Sequence, residues 1–199
     1  MTVLGVLLAA GTGSRFEAGN KLLADLGGDP VVVRSAETLV EAHAGGSLDD
    51  LVAVVGHEAE RTAEALADLP FETVENPDYE AGQATSVARG VKVARERGAD
   101  AAVFALGDLP CVDASTVEAV VAAWRDSDDG AGIVVPTCDG RRGNPVLFDA
   151  RHFDELLAVS SDTGGRELFD ASPVERVPVD DPGIHRDVDT VGDLAELRE

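Results

Sequence analysis

Apolar positions fall along the chain in two kinds of block. Short runs recur at residues 3–10, 51–55, 71–74, 101–106, 133–135 and 174–179, rich in Val, Leu, Ile and Ala. The strongest, 3–10, 51–55 and 101–106, are too uniformly apolar to alternate, so they read as strands covered on both faces. Between the runs lie longer stretches with helical spacing. One carries Val33, Ala36, Leu39 and Val40 on a single stripe after Asp29-Pro30. Another, rich in Ala and acids, follows Gly56-His57-Glu58, and a third covers 83–97 after the turn at Asn76-Pro77. Proline at the first helical position is expected at Pro30, and Asp113 is expected to cap the helix running to Trp124. A last helix is expected over 190–197.

This alternation implies right-handed crossovers and a mostly parallel sheet. The fold class is therefore α/β, a three-layer, doubly wound sheet. Residues 139–145, with Arg141-Arg142, interrupt the pattern as a basic turn, and 146–148 are expected to return antiparallel. Short helical pieces are expected over 153–159 and 165–169. The 199 residues suit one domain, read as two halves, 1–109 and 110–199.

Charge changes the picture more than composition does. Acids outnumber bases 38 to 16, for a net charge of −22, and Lys21 and Lys92 are the only lysines. The acids are dispersed, which reads as a solvated surface of salt-adapted type, as in halophilic archaea. Such a surface excludes nucleic acid and anionic membranes as partners, and any anion site must gather its bases locally. No apolar run reaches 18 residues, and no charged leader precedes the first strand, so neither a membrane span nor a signal peptide is expected. Cys111 and Cys138 lack metal or redox spacing and read as free thiols in a reducing cytoplasm.

The candidate chemistry begins where the first strand ends. Gly11-Thr12-Gly13-Ser14 follows it at once, and Arg15 and Lys21 are the only bases before Pro30. Glycines beyond a buried strand let backbone N–H groups approach an anion, and α/β sheets bind ligands at that end. Phe16 stands where a dinucleotide fingerprint needs glycine, and Asn20 where a P-loop needs one before its lysine. The ligand indicated is a polyphosphate; the plainer alternative is a turn and nothing more. Asp108 ends the strongest internal strand in Gly-Asp-Leu-Pro, as a Mg²⁺ carboxylate or as a turn former. Asp187 and Asp189 share one side of an extended segment, and Asp189 has the alternative of capping the last helix. The four histidines show no ligand spacing.

The stretch Ala9-Ala10-Gly11-Thr12-Gly13-Ser14-Arg15-Phe16, followed by Asn20-Lys21-Leu22-Leu23, resembles the signature loop of the molybdenum cofactor cytidylyltransferases. These belong to the MobA-like NTP transferase (nucleotidyltransferase) superfamily, with guanylyl-, sugar-phosphate and methylerythritol-phosphate transferases. The resemblance implies a Rossmann-like nucleotidyltransferase fold. Residues Ala9, Ala10, Gly11, Thr12, Gly13 and Ser14 would wrap the nucleotide phosphates, and Arg15 and Lys21 would hold the charge. Gly-Asp-Leu-Pro resembles the family's metal motif, which makes Asp108 a Mg²⁺ ligand, with Mn²⁺ as the substitute ion. DVDTVGDL resembles D-I-D-T-P-E-D-L, which adds Asp189 first and Asp187 second.

Further segments match in order. Residues 76–86 resemble N-P-x-W-x-x-G-M-x-x-S and place Gly82 and Ser86 near base and ribose. Tyr79 and Gln83 replace the usual Trp and Met, so neither carries a role, and Ser86 has the alternative of helping to begin a helix. Gly140-Arg141-Arg142-Gly143-Asn144-Pro145 resembles G-R-R-G-H-P, and residues 161–166 resemble G-D-x-G-A-R. Arg142, Gly143, Asn144, Asp162, Gly164 and Arg166 are thereby implied on the acceptor side. The implied partners are a nucleoside triphosphate and a phosphorylated acceptor of molybdopterin type, with transient contact to a molybdoenzyme or its chaperone. Ala10, where guanine-using relatives tend to carry glycine, favours CTP. A sister enzyme with another acceptor or base, and a silent nucleotide-binding module, are the alternatives.

Overall fold

Each of the seven residues of the first strand, β1 (Val3–Ala9), is buried. By alternation its side chains divide between two cores. Val3, Leu7 and Ala9 join one, and Leu4, Val6 and Leu8 join the other. That division is what a continuous apolar run predicts for a central strand, and it sets the layers of the molecule. The computed structural model describes residues 1–13, 15–127, 131–158, 169 and 172–198.

The further elements follow the expected alternation. They are β2 (Asp25–Leu26), β3 (Asp29–Pro30), α1 (Val31–Ala44), β4 (Asp50–Val55), α2 (Ala59–Ala65), β5 (Glu72–Glu75) and α3 (Gln83–Glu96). Next come β6 (Ala101–Leu106), α4 (Ala114–Asp126), β7 (Ile133–Cys138), β8 (Arg141–Arg142), β9 (Val146–Asp149), α5 (Phe153–Ala158), β10 (Val174–Pro178) and α6 (Val191–Glu196). The main sheet runs β10-β7-β9-β6-β1-β4-β5, with β8 paired to β7. Its β5-β4-β1-β6 portion is parallel, and β9 lies antiparallel to both β6 and β7. The short run 146–148 thus returns as expected and joins the two parallel portions into one sheet. Helices α1 and α4 cover one face through Ala36, Leu39, Val117, Val120 and Trp124. Helices α3 and α5 cover the other through Val87, Val91, Phe153 and Leu156.

Two local expectations are corrected, and one alternative is ruled out. Pro30 is the residue before α1, held extended at ψ 146° by the small β2–β3 ladder, rather than its first helical residue. Asp113 precedes α4, but its side chain makes no capping bond. Asp181, buried and 68 residues away in sequence, accepts from the Asp113 N–H at 3.0 Å and the Thr116 hydroxyl at 2.7 Å instead. Thr190, rather than Asp189, caps α6: its hydroxyl accepts from the Asp193 N–H, and Asp193 reaches back to the Thr190 N–H at 2.7 Å. This is a capping box, and it leaves the Asp189 carboxylate out of the cap. The helical piece expected over 165–169 lies outside the described residues except for Phe169.

Candidate functional site

Strands β1 and β6 run side by side in parallel, with Leu8 opposite Leu106, so the segments after them leave the sheet together. The Gly107 N–H donates to the Leu8 carbonyl at 2.9 Å, which ties the two exits. Beyond them opens a cleft of about 800 Å³. Its walls include Ala10, Gly11, Thr12 and Gly13 on one side, Tyr79, Gly82, Gln83 and Ser86 on another, and Arg15, Lys21, Asp108 and Asp189 at one end.

The loop is shaped by the chain's own packing. Gly13 has φ of 58°, and a methyl there would lie 3.0 Å from Cγ of Lys21, so glycine is needed both for the turn and for the lysine's passage. Gly11 differs, since a Cβ added there would meet nothing within 4 Å. No neighbour among the described residues calls for glycine at that position, so it leaves the backbone open toward the cleft. Asn20 accepts from the Leu22 N–H at 3.0 Å and caps the single 3₁₀ turn that carries Lys21. Phe16 is buried against Val31, Val188 and Leu194, which pins the far end of the loop to the C-terminal segment.

At the charged end, Lys21 Nζ donates to Asp108 Oδ2 at 2.6 Å and to Asp189 Oδ1 at 2.8 Å. Arg15 pairs with the other Asp189 oxygen at 2.7 Å. A backbone bond from the Val188 N–H to the Asp108 carbonyl, 2.9 Å, sets the spacing of the carboxylates. Lys21 is only 8 % exposed. Burial works against its charge, but Asp108 and then Asp189 outweigh burial and raise its pKa above the ordinary lysine range. Burial likewise opposes ionisation of Asp189, and Lys21 and Arg15 reverse the balance and lower its pKa. Asp187, one step away and largely exposed, has its pKa raised by partial desolvation and then by the charges of Asp189 and Asp108.

The donor set bears on a metal. Among the described residues no group of three or more His, Cys, Asp or Glu side chains is placed to hold an ion unaided. Mg²⁺ rarely asks for that, since it takes one or two carboxylates and fills its sphere with phosphate and water. Asp108 Oδ1 is buried and has no hydrogen-bond partner. A hard oxygen left unsatisfied beside a second carboxylate fits such an ion.

The sequence-derived residues separate in space. Ala10, Gly11, Thr12, Gly13, Arg15, Lys21, Gly82, Ser86, Asp108 and Asp189 line the cleft. Ala9 is wholly buried in β1, and Asp187 lies beside the cleft rather than on its wall. Arg142, Gly143 and Asn144 sit on and after β8, off the cleft wall. A methyl on Gly143 would fall 2.5 Å from Ile184, so that glycine answers to packing. Asn144 lines a small apolar recess with Leu109 and Val112. The Arg142 guanidinium lies 4.6 Å from the centre of the Phe169 ring, which stacks on Phe148. Ser14, Asp162, Gly164 and Arg166 lie outside the described residues.

Sequence reasoning missed Asn76, read there only as a turn. Its buried amide donates to the Thr85 and Ser86 hydroxyls at 2.9 and 3.0 Å, and its carbonyl oxygen accepts from the Asp78 N–H. Ser86, inside α3 rather than at its start, is thereby fixed at the cleft wall. The Asn-Pro-Asp spacing of such a side-chain turn was the available signal. Tyr79 and Gln83, left without roles, both line the cleft.

A model of the MobA-like NTP transferase domain matches residues 5–177. Nicotine blue oxidoreductase of Paenarthrobacter nicotinovorans is 30% identical over 203 residues, covering 98% of this chain and 96% of that protein. Among solved structures, Rv0371c from Mycobacterium tuberculosis H37Rv superposes with a TM-score of 0.84 at 25% identity, covering 100% of this chain and 98% of that one. A manganese complex of Rv0371C gives 0.77 at 25% identity, with 99% and 98% coverage. No helix among the described residues is long and apolar enough to cross a membrane. With a glycine loop, a lysine bridging two carboxylates in one cleft, and the family model covering most of its length, this chain belongs to the MobA-like NTP transferase domain family of nucleotidyltransferases.

Proposed function

We propose that the protein transfers a nucleoside monophosphate, CMP from CTP, to a phosphorylated acceptor of the molybdopterin or molybdenum cofactor class and releases pyrophosphate. It would work in a salt-rich cytoplasm and pass its product to a molybdoenzyme or its chaperone. The observation that carries the reading is Lys21, buried between Asp108 and Asp189 beside the open backbone of Gly11. An oxygen of the acceptor phosphate attacks the α-phosphorus, a new P–O bond forms, and the bond to the β-bridging oxygen breaks. The leaving pyrophosphate takes that electron pair.

The protein supplies position and charge. Loop N–H groups from Ala10 to Gly13 and the side chains of Arg15 and Lys21 hold the phosphates and meet the charge that grows on the leaving group. Ser86, fixed by Asn76, faces the nucleoside. Asp108, through its unpartnered oxygen, and Asp189 would hold Mg²⁺ or Mn²⁺, with Asp187 next in reach. When bound, that ion would neutralise phosphate charge and orient the reacting oxygens. Residues 1–109 form the nucleotide half and 110–199 the acceptor half, with Arg142, Gly143 and Asn144 on the acceptor side. The Ala10 methyl, packed where Gly56 and Tyr79 come close, narrows the cleft beside the loop and favours a pyrimidine.

Pyrophosphate release over a panel of nucleotides and acceptors tests the reading, with CTP and molybdopterin expected to give the fastest release. Titration with each Mg-nucleotide tests the base, and tighter GTP than CTP binding overturns that choice alone. The oxidoreductase name of a relative at 30% identity supplies the second reading. If no nucleotide and acceptor pair yields pyrophosphate, the transfer reading falls.

A further inference from the structure

The two carboxylates at the end of the cleft already share a cation, and it belongs to the chain. Lys21 Nζ spans Asp108 Oδ2 and Asp189 Oδ1 at 2.6 and 2.8 Å, and Arg15 takes Asp189 Oδ2 at 2.7 Å. Of the four carboxylate oxygens, only Asp108 Oδ1 is buried and left without a partner. The lysine is confined as well as paired, because its stem runs against Gly13 and its turn is capped by Asn20. A divalent ion seated on these carboxylates would therefore meet an ammonium and a guanidinium within a few ångströms, in a partly buried setting where like charges repel strongly. A polyphosphate changes that balance, since it offers Lys21 and Arg15 a richer set of anionic oxygens than two carboxylates do.

We propose that Lys21, helped by Arg15, is a built-in counter-cation that keeps the Asp108–Asp189 pair poorly receptive to a divalent ion until a polyphosphate draws the bases away. Divalent cation and polyphosphate then load as one unit, and the protein does not hold the cation alone. This coupling rests on the reading of the cleft as a nucleoside triphosphate site. In a chain with 38 acidic residues it also separates the site from its surroundings. Surface carboxylates bind divalent ions weakly whether or not a polyphosphate is present, and this pair does not.

The test uses the full chain and Mn²⁺ alone, followed by the electron paramagnetic resonance signal of the free ion, with no nucleotide and no turnover. Wild-type protein should show only the weak binding that an Asp108→Asn/Asp189→Asn variant also shows. Lys21→Met should gain one Mn²⁺ site at least about tenfold tighter, a change of the size that groups beside a metal exert. Lys21→Arg, which keeps the charge, should stay near wild type, and adding Asp108→Asn to Lys21→Met should erase the gain. Arg15→Met should show a smaller gain of the same kind. Its side chain is 75% exposed, so this variant decides the matter if Lys21→Met fails to fold.

Inorganic tripolyphosphate then tests the handover. Water-proton relaxation by Mn²⁺–tripolyphosphate should be enhanced by wild type and not by Asp108→Asn. Equal or weaker Mn²⁺ binding in every base-removed variant overturns the counter-cation, and absent enhancement in wild type overturns the coupling. Neither result depends on pyrophosphate release, so a failed transfer assay and a failed Mn²⁺ titration are told apart.

Discussion

The charged end of the cleft and the Arg141–Arg142 turn are both basic features on a strongly acidic protein, yet they are built in opposite ways. In the cleft every base is answered. Lys21 holds two carboxylates, Arg15 holds one of the same two, and backbone bonds and a small apolar cluster fix the elements that carry them. On the turn, neither arginine pairs with a carboxylate among the described residues, although acids outnumber bases 38 to 16. Arg142 is held instead by the face of Phe169, an interaction that positions a guanidinium without neutralising it. One region is held together by its own ion pairs, and the other leaves its charge unanswered by any carboxylate among the described residues. In the proposed reading this is the difference between a site that aligns a reacting phosphate and one that captures an anionic acceptor.

The largest effect should come from breaking the assembled side. Lys21→Ala and Asp108→Ala should each lower the rate of pyrophosphate release by about a hundredfold, or roughly 3 kcal/mol, as loss of a transition-state stabiliser does. Near-normal turnover in either folded variant would remove these residues from the chemistry. Phe16→Ala tests what holds the loop. Emptying that buried position should cost about 3 kcal/mol of stability and lower the melting temperature by several degrees. It should also raise the KM for the nucleotide and spare that for the acceptor. Equal changes in both constants would mean that the cluster supports the whole fold and not this side.

Arg142→Ala sharpens the other half of the comparison. Loss of a charged hydrogen-bonding partner should raise the acceptor KM about tenfold, with the nucleotide KM unchanged. A raised nucleotide KM would place Arg142 on the wrong side. The smallest expected effect is on stability against pH. The pKa of Lys21 is raised, so its contribution is complete below the unfolded value of about 10.4 and fades as pH climbs through the folded one. The pKa of Asp189 is lowered, so its contribution is complete above about 3.9 and fades as pH falls through the folded value. Denaturant melts of wild type should weaken at both extremes, and Lys21→Ala should lose the part of the alkaline decline that Lys21 causes. An unchanged alkaline limb in that variant would mean that the ion pair adds no stability.

The sequence by itself determined the alternation of strands and helices, and with it the end of the sheet where a ligand site must lie. Continuous apolar runs mark strands covered on both faces, and glycines beyond one of them mark open backbone, since both signals are local and periodic. It also named Arg15 and Lys21, the only bases before Pro30, and Asp108, just beyond a strand end. Only the tertiary structure decided what those residues meet. Asp189 reaches Lys21 across 168 positions of chain, and Asp181 ties down the start of the helix that Asp113 was expected to cap. The antiparallel return of β9 was expected, but its place between β6 and β7, joining the two halves in one sheet, was not. Periodicity says which face of an element is buried and is silent on what packs there. Long-range partners are chosen by packing and by charges that must be answered once buried, and those choices exist only in the folded chain.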